Sequence, residues 1–195
     1  MLTCKGSRVF LRVVFFLFFF IQVSMAETVL LIGDSMAEAV AKPLEKLFNT
    51  TNYQYVYRFK RGTQVTYWLD NPELEEKLQS SDPDYVLISL GTNDIVAKKS
   101  NEAIIESLDK LMEYIQALSS KKINFLVVAT PLQADNDLNL AMQEHYGESC
   151  FVSKSLNLET NRDKVHPTHE ADEVWAQQIY EYFMDTYPTL SPTVD

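Results

Sequence analysis

Three short apolar runs, each closed by a glycine or a proline, constrain this chain more than any other feature. They are Thr28-Val29-Leu30-Leu31-Ile32 before Gly33, Tyr85-Val86-Leu87-Ile88-Ser89-Leu90 before Gly91, and Asn124-Phe125-Leu126-Val127-Val128-Ala129 before Pro131. A strand with one wet face alternates apolar and polar residues, whereas a strand covered on both faces has no reason to alternate. The runs therefore predict parallel strands inside a sheet. Helical patterns separate them, near 36–49, 65–80, 101–119 and 136–146, with a last one near 169–186. Pro72 falls within the second and is suited to a first helical turn, so that helix is expected to begin there, leaving 63–71 irregular with Trp68 packed in it. Strand alternating with helix gives a three-layer α/β domain.

Two further strands are expected. Residues 53–60 alternate, with Tyr53, Tyr55, Tyr57 and Phe59 on one face, as an edge strand would; the aromatic stripe is expected to pack under a helix. Residues 151–154 would supply a fifth. Ligands of such sheets bind beyond the carboxyl ends of the strands, so Ser35, Gly62 and Asn93, each just past a strand end, are expected on one rim.

The first 26 residues differ from the rest. Lys5, Arg8 and Arg12 lead into an apolar stretch over 13–21, followed by Ser24 and Ala26. This pattern reads as a secretory signal peptide cleaved after Ala26, its apolar core being shorter than the ~20 residues a membrane-spanning helix needs. An uncleaved anchor over 9–23 is the alternative, and either way the domain is expected outside the cytoplasm, secreted or periplasmic. The organisation expected is thus a signal peptide over 1–26, one domain over 27–187 and a flexible tail over 188–195.

Without the leader the chain keeps 14 basic residues against 27 acidic ones, a net charge of −13. Such a surface repels nucleic acid and anionic membranes. Cys4 leaves with the leader, so Cys150 has no intrachain partner; it opens an apolar stretch and is read as a buried small residue. No Cys or His cluster has metal-ligand spacing, and no metal or cofactor is expected.

The residues with chemistry lie at the predicted loops. Ser35, in Gly33-Asp34-Ser35, sits at a strand-to-helix turn, where its hydroxyl would face the cleft and its amide would be an orphan donor of the helix N-terminus. His166, in Asp163-Lys164-Val165-His166-Pro167, precedes the last helix. Asp163, three residues earlier, could fold back to accept from Nδ1, leaving Nε2 for the serine proton. His145 lies in a polar helical stretch without a partner pattern, and His169 in a first helical turn facing solvent. Asn93, in Gly91-Thr92-Asn93-Asp94, and Gly62 would add donors for an oxyanion, while Asp34 and Asp94 are assigned to loop hydrogen bonds. Singly, each residue has a plainer reading: Ser35 as a helix cap, Asp163 as a turn cap, Gly62 as a turn glycine and Asn93 as an Asx-turn residue.

Jointly, these blocks resemble the SGNH/GDSL hydrolase family of esterases and lipases, in order and in spread over most of the domain. The resemblance implies a flavodoxin-like sheet of order 2-1-3-4-5 and metal-free hydrolysis of O-acyl or thioester bonds. It also implies Ser35 as nucleophile, His166 as base, Asp163 as its partner, and Ser35, Gly62 and Asn93 as the oxyanion hole. Two departures stand out: Arg61-Gly62-Thr63-Gln64 lacks the family's usual Ser-Gly pairing, and Met36 replaces the commoner Leu after Gly-Asp-Ser. A monomeric serine esterase is expected. The polar segment 131–149, with Gln133, Asp135, Asn136, Asp137 and Asn139, favours short acyl groups on carbohydrate as substrate. An O-acetyltransferase acting on exported or cell-wall glycan shares every active-site residue, and an inactive glycan-binding domain is the reading from another class.

Overall fold

The computed structural model describes residues 26–131, 137–153, 158–163 and 165–188. All of the leader but Ala26 and most of the tail lie outside these, as does Lys154 of the expected fifth strand. Five parallel strands form the sheet: β1 (Thr28–Gly33), β2 (Gln54–Phe59), β3 (Tyr85–Ser89), β4 (Asn124–Val128) and β5 (Cys150–Phe151), in the spatial order β2-β1-β3-β4-β5. The order and the edge position of β2 are those expected. The fifth strand is shorter, pairing only Val127 with Cys150 and Val128 with Phe151.

Period-two geometry explains the unbroken apolar runs. On β1, Leu30 and Ile32 face one core, with Val86, Ile88, Ile104, Leu108 and Leu111, while Val29 and Leu31 face the other, with Leu87, Val40, Leu44, Trp175 and Phe183. Both cores are buried, so neither face of the central strands has use for a polar residue. The Tyr stripe of β2 packs against the second core: Tyr55 stacks on Phe48 at 5.0 Å between ring centroids, and Tyr53 meets Phe183 edge-on at 5.4 Å.

The covering helices are α1 (Ser35–Phe48), α2 (Pro72–Ser81), α4 (Asn101–Leu118), α5 (Asp137–Tyr146) and α6 (His169–Thr186). Pro72 does open α2, with Asn71 Oδ1 accepting from the amides of Glu73 and Leu74. The segment before it contains one 3₁₀ turn, Val65–Trp68, with Trp68 fully buried. Thr168 caps α6 by accepting from the Ala171 amide at 3.3 Å. A short helix α3 (Thr92–Val96) was not foreseen, since five residues are too few for a periodic signal.

Among the described residues no helix is long and apolar enough to cross a membrane. Cys150 is buried, and burial pushes its thiol up to about 12, so it stays protonated and inert.

Candidate active site

The rim is built from close backbone contacts. Gly33 ends β1 directly beside Ser89 of β3, and a Cβ at position 33 would lie 2.1 Å from the Ser89 carbonyl oxygen. Only glycine lets the strands pair there. The chain then turns: Asp34 donates its amide to the Ser89 carbonyl at 3.2 Å and caps α1, its Oδ1 accepting from the Met36 amide at 2.9 Å. Ser35 is the first helical residue, so its N–H has no intrahelical acceptor, and the residue is half-buried.

His166 arrives from 131 residues away. Its Nε2 lies 2.8 Å from Ser35 Oγ, and its Nδ1 lies 2.8 Å from Asp163 Oδ2. An ionised carboxylate only accepts, so Nδ1 carries the proton and Nε2 keeps its lone pair for the Ser35 hydroxyl. Asp163 uses its two oxygens differently. While Oδ2 orients the imidazole, Oδ1 closes the turn by accepting from the amides of Val165, at 2.9 Å, and His166, at 3.0 Å. The Val165 amide, followed by the imidazole, holds this carboxyl down at about 2, so it remains ionised over any ordinary pH.

The loop carrying the pair is a small hairpin. Thr160 bridges Pro167 in antiparallel fashion, the Asn161 amide donates to the His166 carbonyl at 2.8 Å, and the Thr168 amide donates to that of Glu159 at 2.8 Å. Asn161 Nδ2 adds a bond to the Pro167 carbonyl at 2.7 Å. Asn161 went unnoticed in the sequence, where nothing marks a side chain whose acceptor lies six residues ahead.

The oxyanion candidates converge through their neighbours. Asn93 Nδ2 donates to Asp34 Oδ2 at 2.8 Å and to the Thr63 carbonyl at 3.1 Å, which ties the α3 turn to the residue before Ser35 and to the residue after Gly62. Asp94 secures the same loop, its Oδ2 accepting from the Val65 amide at 3.0 Å and its Oδ1 pairing with Lys99 at 2.7 Å. Arg61 forms an ion pair with Glu38 on the first turn of α1. Gly62 has φ +73°, a left-handed value that favours glycine, and opens onto free space, with nothing within 4 Å of where a Cβ would stand.

Asp34 is wholly buried, and this desolvation raises its carboxyl to about 6 against the lowering effect of the bonds from Met36 and Asn93. Asp172, on the first turn of α6, is likewise raised to about 6 by burial, with His169 and His166 pulling the other way. His145 has a partner after all: its Nε2 sits 3.0 Å from Asp109, which also accepts from the Tyr146 hydroxyl at 2.9 Å. That cluster joins α4 to α5 and contains none of the rim residues. Of the polar segment 131–149, residues 132–136 lie outside the described residues. Within the rest, α5 turns Leu138 and Met142 toward Gly91, each 3.4 Å from where a Cβ there would stand. Among the described residues no group of three or more His, Cys, Asp or Glu could hold a metal ion.

The arrangement is a hydroxyl hydrogen-bonded to an imidazole that is in turn oriented by a carboxylate, beside a helix N-terminus. Chemically, this is the geometry of an activated nucleophile.

No protein-family model matches the chain, and no curated protein matches it. Solved structures do. It is similar to the psychrotrophic esterase EstA from Pseudoalteromonas sp., with a TM-score of 0.64 at 17% identity over 82% of this chain and 97% of that one. A carbohydrate esterase of family 3 from Talaromyces cellulolyticus gives 0.60 at 17%, covering 82% and 97%. A family two carbohydrate esterase from Clostridium thermocellum, solved with cellohexaose, gives 0.63 at 13%, covering 83% of this chain and 64% of that one.

The protein therefore has the SGNH hydrolase fold, the architecture of SGNH/GDSL-type esterases. At such identities the likeness speaks for the fold, and the chemistry rests on this chain's own residues.

Proposed function

We propose that the protein is an exported serine esterase that hydrolyses O-acyl esters, with short acyl groups on carbohydrate as its preferred substrates. The observation that carries this reading is the hydrogen-bonded line from Ser35 Oγ through His166 to Asp163, assembled from opposite ends of the domain. A hydroxyl held as a mere helix cap has no need of an imidazole, or an imidazole of a carboxylate.

In the cycle, His166 Nε2 takes the Ser35 proton as Oγ attacks the acyl carbonyl, and Asp163 stabilises the imidazolium. The carbonyl oxygen becomes an oxyanion beside the Ser35 amide, the Gly62 amide and the Asn93 side chain. Collapse expels the alcohol, which takes its proton from His166. Water, deprotonated by the same imidazole, then releases the acid and restores Ser35. The preference for carbohydrate is supported by the polarity of 131–149 and by the carbohydrate esterases that share the fold. Export is supported by the basic, then apolar, then small-residue pattern of 1–26.

The test is a chain-length series of nitrophenyl esters together with acetylated glycans, run on the wild type and on Ser35→Ala. Wild type should release nitrophenol fastest from the short esters, and acetate from the acetylated glycans, without any added acceptor, and the variant should release neither above background. Equal rates from both proteins would end the esterase reading. Acyl transfer appearing only when glycan is added, with no hydrolysis in its absence, would replace it with an acyltransferase.

A further inference from the structure

An amide nitrogen has two hydrogens, and Asn93 has committed both, one to Asp34 and one to Thr63. If Asn93 is to donate to an oxyanion, one of these bonds must open. The two differ. The bond to Asp34 is the shorter, at 2.8 Å against 3.1 Å, is charge-assisted, and ends on a fully buried carboxylate. Opening it would strand a buried charge, whereas the Thr63 carbonyl is neutral and loses less.

Resting on the esterase reading above, we propose that Asp34 is the positioning residue of the oxyanion hole. Its carboxylate holds one hydrogen of Asn93 throughout, and the other is parked on the Thr63 carbonyl until the oxyanion takes it. The same carboxylate caps α1 through Met36, so the turn that carries Ser35 and the amide that serves the oxyanion are aligned by one rigid group.

The choice of aspartate supports this. Asparagine caps helices as well as aspartate does and would avoid burying a charge. It would, however, keep only one acceptor oxygen. With that oxygen on the Met36 amide, its own NH₂ would face the NH₂ of Asn93, donor against donor, and Asn93 would have to swing or flip its donors away from both Asp34 and Thr63. A carboxylate accepts on both oxygens, and position 34 uses both.

Asp34→Asn is therefore the discriminating variant, since it keeps the cap and removes only the brace. On 4-nitrophenyl acetate it should lower kcat on the order of 10²-fold with KM nearly unchanged, as Asn93→Ala should. If Asp34 acts through Asn93, adding Asp34→Asn to Asn93→Ala should change kcat by no more than about 2-fold. Multiplying losses, or a loss confined to KM, would overturn the assignment. A second readout needs no turnover: the ¹⁵N side-chain amide signals of Asn93 in the free protein. One proton should resonate downfield in wild type and in Ser35→Ala, and move upfield in Asp34→Asn. Unmoved signals would refute the brace. A wild type that hydrolyses nothing would instead sink the esterase reading, while the amide signals still decide the role of Asp34.

Discussion

The two halves of the candidate site are built in opposite ways. Ser35 and Asn93 stand on the ends of β1 and β3, where Asp34 and Asp94 are fully buried and every turn is fastened to a strand or helix terminus. Asp163 and His166 sit on an exposed hairpin, the Asp163 side chain 49% accessible, and shape themselves by bonds within a few residues of sequence. The rim gets its precision from the core; the hairpin gets its precision from its own turn. A group that must hold an oxyanion donor within tenths of an ångström profits from a rigid scaffold, whereas a base that shuttles a proton tolerates a locally organised loop.

The largest expected effect tests the rim. In Gly33→Ala the new Cβ would stand 2.1 Å from the Ser89 oxygen and 2.7 Å from the Ala37 Cβ, so β1 and β3 could not keep their register. Loss of at least ~3 kcal/mol of stability, with aggregation or a much lower Tm in thermal unfolding, is expected. A normal Tm would show that the rim is far softer than described.

On the hairpin, substitutions should cost rate and spare the fold. Asp163→Asn keeps an oxygen for the turn amides but takes the negative charge from the imidazole, and kcat should fall ~10²–10³-fold while the protein stays folded with only a modestly lower Tm. A loss below about 3-fold in steady-state kinetics would mean that Asp163 only shapes the turn and that His166 works unaided. Asn161→Ala removes one bond of several closing the hairpin, and kcat/KM should drop about 3–10-fold, roughly the worth of one such bond. An effect as large as that of Asp163→Asn would make the hairpin depend on that side chain far more than its backbone bonds suggest.

A difference in pH dependence also separates the halves. Asp34 is raised from 3.8 to about 6 by burial, so the folded protein retains a proton that the unfolded chain has released. Its contribution to stability is fully present below pH 3.8 and is lost as the pH rises through about 6, on the order of 2–3 kcal/mol. Asp163 has the opposite sign: lowered to about 2 chiefly by the Val165 amide, its contribution is present above pH 3.8 and is lost as the pH falls toward 2. Urea titrations from pH 4 to 7 should show a falling slope that Asp34→Asn reduces, the remainder belonging to Asp172, and that Asp163→Asn leaves alone. The reverse pattern would invert the picture of which half is buried.

How much of this was legible in the sequence follows the same division. The strands declared themselves because burial on both faces leaves unbroken apolar runs, and a residue just past such a run must lie at the sheet's carboxyl edge. Asp163 and His166 were legible for a different reason, since three residues of separation let a carboxylate fold back within one turn. What stayed hidden depends on contacts between segments remote in sequence. The bonds of Asn93 to Asp34 and Thr63 span 59 and 30 residues, and that of His145 to Asp109 spans 36. Neither spacing nor composition marks such pairs. The hairpin's closure at Thr160 and Pro167 stayed hidden because it is a single bridge, too short to leave an alternating pattern.

The central claim is that Ser35 is a nucleophile activated by His166. The direct measurement is intact-protein and peptide mass spectrometry after brief exposure to a fluorophosphonate, on wild type, Ser35→Ala and His166→Ala. The account predicts a single adduct on the peptide containing Ser35 in wild type, none in Ser35→Ala, and labelling slowed by at least ~10²-fold in His166→Ala. An unlabelled wild type, or an adduct that survives Ser35→Ala, would contradict it.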